Sequence, residues 1–251
     1  MNDQTSVRTR HQLRRPDRFF FGTRGLPCPY LPDRTERKVV TDLSGPDAAE
    51  LYERLSRAGF RRSHSLAYRP ACPGCEACVP VRIPVAEFKP SASFARIIKV
   101  NAGLVAHDSP AHATIDQFRL FSRYQRSRHA GGEMSGMTYD DYRAMVEETP
   151  VDSRMIEYRN ADGALVAAML ADRLADSLSA VYSFFDPALG RSSLGIYMVL
   201  WLIESARAEG LPFVYLGYWI ADSRKMSYKT RFRPIEALGP KGWTALDLKT
   251  P

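Results

Sequence analysis

Apolar residues recur along the chain with two different periods, and the switches between those periods mark its elements. Phe118, Phe121 and Tyr124 share one side of an amphipathic helix that runs from Thr114 to about His129 and stops at Gly131-Gly132. Thr138 caps a further helix through Tyr142, Met145 and Val146, which ends before Pro150. The spacing then changes to that of strands, at 154–158, 164–170 and 178–185, with a turn at 160–163 between the first two. Pro187 ends the third strand because it has no N–H to give to a ladder. Ser192 or Ser193 is positioned to cap a helix whose Leu194, Met198, Trp201 and Leu202 sit at helical spacing, with Gly210 as its stop. A strand over 212–219 follows at once. Earlier in the chain the pattern predicts a strand at 38–41, a helix over 48–57 closed by Gly59, a strand at 79–83, a helix beginning near 89, and a polar connection over 101–110.

The second half therefore reads α-α-β-β-β-α-β, the element order of the acyl-CoA N-acyltransferase (GNAT) fold. The expected fold class is α+β: a mixed sheet flanked by helices, joined to a small cysteine-containing N-terminal domain. The division predicted is a flexible basic arm at 1–17, the N-terminal unit at 18–100, the acyltransferase-like unit at 101–240 and a tail at 241–251. A strand-helix-strand connection of this length lays the 178–185 and 212–219 strands side by side and parallel, so both carboxyl ends face one crevice. Asp186 reaches it from the first strand. From the second comes the segment 222–234, where Arg224, Lys225, Lys229, Arg231 and Arg233 alternate with Tyr228 and Phe232, a composition suited to phosphates and stacked bases. The loop that would cradle a coenzyme A pyrophosphate, Arg191-Ser-Ser-Leu-Gly-Ile-Tyr197, has its glycine displaced and Tyr197 where a small residue is needed, which disfavours acetyl-coenzyme A.

A formal net charge of +7 in 251 residues fits a polyanionic partner. No apolar run is long enough to cross a bilayer and the polar, arginine-rich start has no signal-peptide core, so a cytoplasmic location is expected. Three of the four cysteines fall in Cys72-x-x-Cys75-x-x-Cys78, and Cys28 can complete four soft ligands, as tetrahedral zinc or an iron–sulfur cluster requires. Reduced structural thiols or a thiol switch are the alternatives.

Several separated motifs carry a family likeness: Cys28-Pro-Tyr, Phe60-Arg-Arg-Ser, Tyr68-Arg-Pro, the cysteine cluster, Tyr182-Ser-Phe-Phe-Asp-Pro187, Ser193-Leu-Gly195, Tyr215-Leu-Gly-Tyr218 and Lys225-Met-Ser-Tyr-Lys229 followed by Pro234. In their order and spacing the chain resembles the aminoacyl-tRNA–protein transferases, above all the bacterial aspartate/glutamate leucyltransferases, relatives of the eukaryotic arginyltransferases. The resemblance implies transfer of leucine from Leu-tRNA to the N-terminal α-amine of proteins that begin with Asp or Glu, marking them for degradation by the N-end rule. Arginine as donor, a coenzyme A dependent N-acetyltransferase and a non-catalytic RNA-binding module are the rival readings. On the leading one, Asp186 orients the acceptor ammonium and takes its proton, while Lys225, Tyr228, Lys229, Arg231 and Arg233 meet tRNA. Tyr182 and Tyr218 hydrogen-bond in the crevice, and Arg61, Arg62 and Arg69 are the cations for the acceptor carboxylate.

Overall fold

The computed structural model describes residues 18–189 and 193–247. The expected basic arm, Arg191 and Ser192 of the loop before the last long helix, and residues 248–251 lie outside the described residues. The chain opens with β1 (Phe21–Gly22), β2 (Leu26–Pro27), β3 (Thr35–Glu36), β4 (Lys38–Asp42), α1 (Ala48–Arg57), β5 (Arg61–Ser63) and β6 (Leu66–Pro70). Four of these strands form a small antiparallel sheet in the order β1-β4-β6-β5, with β2 and β3 as a separate ribbon. Leu51, Tyr52 and Leu55 place one face of α1 against Leu43 and Ala67 of this unit and against Leu174 of the next, so the two units share a core. Gly59, at φ +84°, ends α1 in a left-handed turn that its missing side chain permits. The N–H of Phe60 returns to Leu55 O and that of Gly59 to Ser56 O, satisfying carbonyls at the helix end.

The remaining elements are β7 (Val79–Pro84), α2 (Ala92–Val100), β8 (Val105–Pro110), α3 (Ile115–Arg128), α4 (Tyr139–Glu147), β9 (Ser153–Arg159), β10 (Leu165–Leu174), β11 (Ser177–Phe185), α5 (Leu194–Ala208), β12 (Phe213–Trp219), β13 (Glu236–Gly239) and β14 (Gly242–Ala245). They make one eight-stranded sheet, β14-β13-β7-β12-β11-β10-β9-β8, antiparallel throughout except for the pair β11–β12. The run from α3 to β12 has the predicted α-α-β-β-β-α-β order, and Thr114 and Thr138 each close a capping box with Gln117 and Asp141.

Period-2 alternation sorts side chains to the two faces. Ile156, Ala167 and Met169 pack with Met198, Leu202 and Ile203 of α5, while Met155, Ala168 and Leu170 pack with Leu120 and Phe121 of α3 and Tyr142 and Val146 of α4. Covered on both sides, β10 is an almost continuous apolar run.

Three expectations change. The boundary placed near residue 100 does not separate the layers, because β7 is bonded between β12 and β13 in the large sheet and Phe94 of α2 lies in its core. The tail placed at 241–251 contributes β14, the return strand of a hairpin whose first strand is β13. The polar connection over 101–110 contains the edge strand β8, whose ladder to β9 is made by backbone alone, so its exposed side chains carry no alternation to read.

Candidate functional site

The one parallel pair is short. Ser177, Leu178 and Ser179 of β11 face Phe213, Val214 and Tyr215 of β12, and past that point the ladder between the two strands ends. Two irregularities coincide there: β12 shifts register against β7 between Tyr215 and Gly217, and β11 shifts against β10 opposite Leu170 and Ala171. Strands that part leave main-chain carbonyls without partners, and buried ones are costly. Arg61 of β5 fills the gap. Its guanidinium donates to Ser179 Oγ at 3.2 Å, to Ala180 O, and to Val181 O at 3.4 Å. Gly217, at φ +75°, makes room: a Cβ there would stand 3.0 Å from Arg61 Cζ.

Lys229 approaches the same split from the 3-10 turn Ser227–Arg231 that follows β12. Only 5% exposed, it donates from Nζ to Tyr218 O at 2.5 Å and lies 5.9 Å from the Tyr228 ring centre. Burial first, and the neighbouring Arg61 charge second, bring its pKa down to about 7. The expectation that Lys229 meets a tRNA phosphate is therefore corrected, since its ammonium is turned inward.

Two tyrosines are likewise structural. Tyr218 hydroxyl donates to Gly59 O at 2.9 Å and lies 3.2 Å from Tyr68 O, tying β12 to the small sheet, and burial raises its pKa. Tyr182 packs on Phe121 and accepts a hydrogen bond from Gln125 Nε2 at 2.5 Å, with its pKa pushed up to about 12 by burial.

The three expected acceptor arginines diverge. Arg62 is wholly buried and spends its guanidinium on Asp172, through Nε to Oδ2 at 2.8 Å and Nη2 to Oδ1 at 2.7 Å, and on Ser153 Oγ and His64 O. No substrate carboxylate can reach it. Arg69 is at the surface, donating to Ala58 O at 3.1 Å beside the end of α1. Arg61 alone points into the split.

Asp186 ends β11 at the mouth of this opening. Its Oδ1 accepts from the N–H of Ala188 at 3.0 Å and its Oδ2 lies 3.5 Å from Arg123 of α3. Arg128 stacks over Phe185 at 5.8 Å, and His129, whose pKa is lowered by burial and then by Lys225 and Arg128, places the end of α3 beside the segment after β12. The end of α3, with exposed Arg128, thus lies beside the segment that carries exposed Lys225 and Tyr228, and exposed Arg123 reaches the mouth at Asp186. The α3 arginines are the functional candidates that sequence reading missed. Their signal was present, as Arg119, Arg123 and Arg126 repeat at helical spacing on the side away from the buried Leu120 and Phe121.

Arg231 and Arg233 are also exposed but lean elsewhere: Arg231 sits 5.3 Å from the Phe94 ring and Arg233 Nε donates to Thr230 O. Phe232 is buried and stacked on Phe94 at 4.9 Å, which anchors the segment to α2 instead of offering a ring to a base. At the start of α5, Ser193 has φ +51° and makes no side-chain cap.

The four cysteines are free and half-buried. Arg37 N–H points at Cys72 Sγ at 3.4 Å, and Cys78 has its thiol pushed up to about 11 by burial and then by the charges of Cys72, Cys28 and Cys75. They are neighbours, and among the described residues no group of three or more His, Cys, Asp or Glu side chains is placed to hold a metal ion. A cavity of about 360 Å³ between β9–β11 and α5 is lined by Trp201 and by charges already paired, Asp108 with Arg154 and Arg173 with Glu209. No helix among the described residues is long and apolar enough to cross a membrane.

Comparison with known proteins places these features. Residues 26–96 match the model of the arginine-tRNA-protein transferase N terminus and residues 116–239 that of its C terminus. An aspartate/glutamate leucyltransferase from Paramagnetospirillum magneticum is 62% identical over 92% of this chain and 94% of its own. Its counterpart from Gluconacetobacter diazotrophicus is 56% identical over 93% of this chain and 90% of its own. Among solved structures, L-PGS from Bacillus licheniformis superposes with a TM-score of 0.45 at 10% identity, over 68% of this chain and 50% of that one. Both halves of the chain match one family and its bacterial relatives match nearly end to end, so the protein belongs to the aminoacyl-tRNA–protein transferases, in their bacterial leucyltransferase branch.

Proposed function

We propose that the protein transfers leucine from Leu-tRNA to the N-terminal α-amine of proteins beginning with Asp or Glu, as a cytoplasmic step of the N-degron pathway. The observation that carries this reading is the identity of 54–62% over more than nine-tenths of the chain to relatives named for that activity. The reaction is aminolysis of an ester: a C–N bond forms at the leucyl carbonyl, the C–O bond to the terminal ribose breaks, and the amine proton ends on the ribose oxygen. An α-amine with a pKa of about 7.7–8 is partly neutral at pH 7, so positioning contributes more than a strong base. Asp186 is the group assigned to the ammonium. Its carboxylate stands at the mouth with one oxygen on a backbone N–H and the other toward Arg123, leaving lone pairs for a cation. Arg123 and Arg128 on one side, and Arg224, Lys225 and Tyr228 on the other, supply the exposed basic and aromatic surface for the acceptor end of tRNA, with exposed Arg231 and Arg233 extending it toward α2.

The test is transfer of labelled leucine or arginine from charged tRNA to peptides beginning with Glu or Ala, by the wild type and by Asp186→Asn. Leucine passing to the Glu peptide alone, with transfer lost and tRNA affinity kept in Asp186→Asn, is the expected result. Arginine transfer would change the donor. Transfer undiminished in Asp186→Asn would remove Asp186 from the reaction.

A further inference from the structure

The split between β11 and β12 holds two cations and nothing to neutralise them. Among the described residues neither Arg61 nor Lys229 forms an ion pair with a carboxylate; their partners are Ser179 Oγ and the carbonyls of Ala180, Val181 and Tyr218. This contrasts with Arg62, next in sequence to Arg61, which has a buried carboxylate of its own. A buried lysine and a part-buried arginine without counterions are costly to keep charged, and an anion placed beside them would offset that cost. We infer that Arg61 and Lys229 together bind the side-chain carboxylate of the acceptor's first residue in the β11–β12 split and so set the preference for Asp and Glu. The inference rests on the transferase reading for its substrate and deepens it by naming the pair that reads the acidic residue.

A carboxylate fits better than a tRNA phosphate. Arg61 is part-buried between two strands and Lys229 is buried behind Tyr228, so the smaller anion is the better match, whereas a phosphodiester carries a sugar on either side. Tyr228, 36% exposed and lying over Lys229, is the group that must swing aside to admit the ligand. An entering carboxylate restores the charge on Lys229, which in the free protein titrates near pH 7. The groups facing that ammonium are Arg61 from β5, the Tyr218 carbonyl from β12 and Tyr228 from its own turn, with Tyr124 of α3 beyond Tyr228. None is acidic.

The experiment uses the full chain and two readouts. Binding of fluorescent peptides beginning with Glu or Gln is measured by anisotropy without tRNA, and leucine transfer to the same peptides is measured with Leu-tRNA, for wild type and Lys229→Met. Methionine is unbranched and only one atom shorter than lysine, and it removes the buried charge, so the variant is expected to fold; its unfolding midpoint is recorded. The expected result is a Glu-over-Gln preference in both readouts that falls roughly tenfold or more in Lys229→Met, through weaker Glu binding and a higher KM with kcat nearly kept. In the wild type that preference declines as pH rises above 7, because the bound carboxylate needs the charged lysine, and the variant's preference loses this pH dependence. Titration of the peptide amine is common to both peptides and cancels in the ratio. Equal losses for Glu and Gln peptides, an unchanged preference, or a raised KM for Leu-tRNA alone would each overturn the inference. Selective binding of the Glu peptide without any leucine transfer would uphold the carboxylate site and sink the transferase reading.

Discussion

Replacing a buried lysine should make this protein more stable in mildly acidic solution. Lys229 has a pKa of about 7 in the folded chain against 10.5 in the open chain, a gap worth on the order of 5 kcal/mol below pH 7. The folded-state value is the lower one, so between pH 7 and 10.5 the unfolded chain binds the extra proton and stability rises with pH, by about 1.4 kcal/mol per unit from this residue. Lys229→Met removes the cost but leaves Tyr218 O without its donor, a loss of about 1–3 kcal/mol. The variant should therefore be about 2–4 kcal/mol more stable than the wild type at pH 6, with the advantage shrinking toward zero near pH 9. Urea unfolding of both proteins at pH 6, 7, 8 and 9 measures this directly. A variant less stable than the wild type at pH 6, or a difference that does not vary with pH, would refute the view that Lys229 is a desolvated cation without a counterion.

Asp172→Ala strands the Arg62 guanidinium in the core and should cost about 3–5 kcal/mol, lowering the thermal midpoint by roughly 10 °C, whereas the joint change Arg62→Met with Asp172→Leu should recover most of the loss. Gly59→Ala places a Cβ 2.7 Å from Pro80 Cγ at a positive φ and should cost about 2–3 kcal/mol by denaturant unfolding. Arg123→Gln and Arg128→Gln should each weaken binding of charged tRNA and reduce the slope of log affinity against log salt by roughly 1, with the Glu-over-Gln peptide preference unchanged.

Local physics made most of the architecture legible. Thr114 and Thr138 announce their helices because a capping hydroxyl needs only the next three residues, and the near-continuous apolar run of β10 identifies a strand buried on both faces. The parallel pairing of β11 and β12 follows from the helix between them, and Asp186 at the end of β11 follows from Pro187. The edge strand β8 was hidden because an edge bonded through backbone on one side imposes no pattern on its side chains.

Which arginine or lysine is free for chemistry was decided only in three dimensions. Arg61 and Arg62 are adjacent and chemically alike, yet alternation along β5 sends one to Asp172 and the other into the opened ladder between β11 and β12. Lys229 sits in a run of exposed cations and is itself buried, since a 3-10 turn pinned by Phe232 on Phe94 rotates it inward. The sequence by itself determined the elements, their order and the basic character of the segment after β12, because these depend on periods and neighbours a few residues apart. Solvation and pairing of each charge depend on partners such as the Tyr218 carbonyl, 11 residues away, and Asp172, 110 residues away, and only the packed chain brings those together.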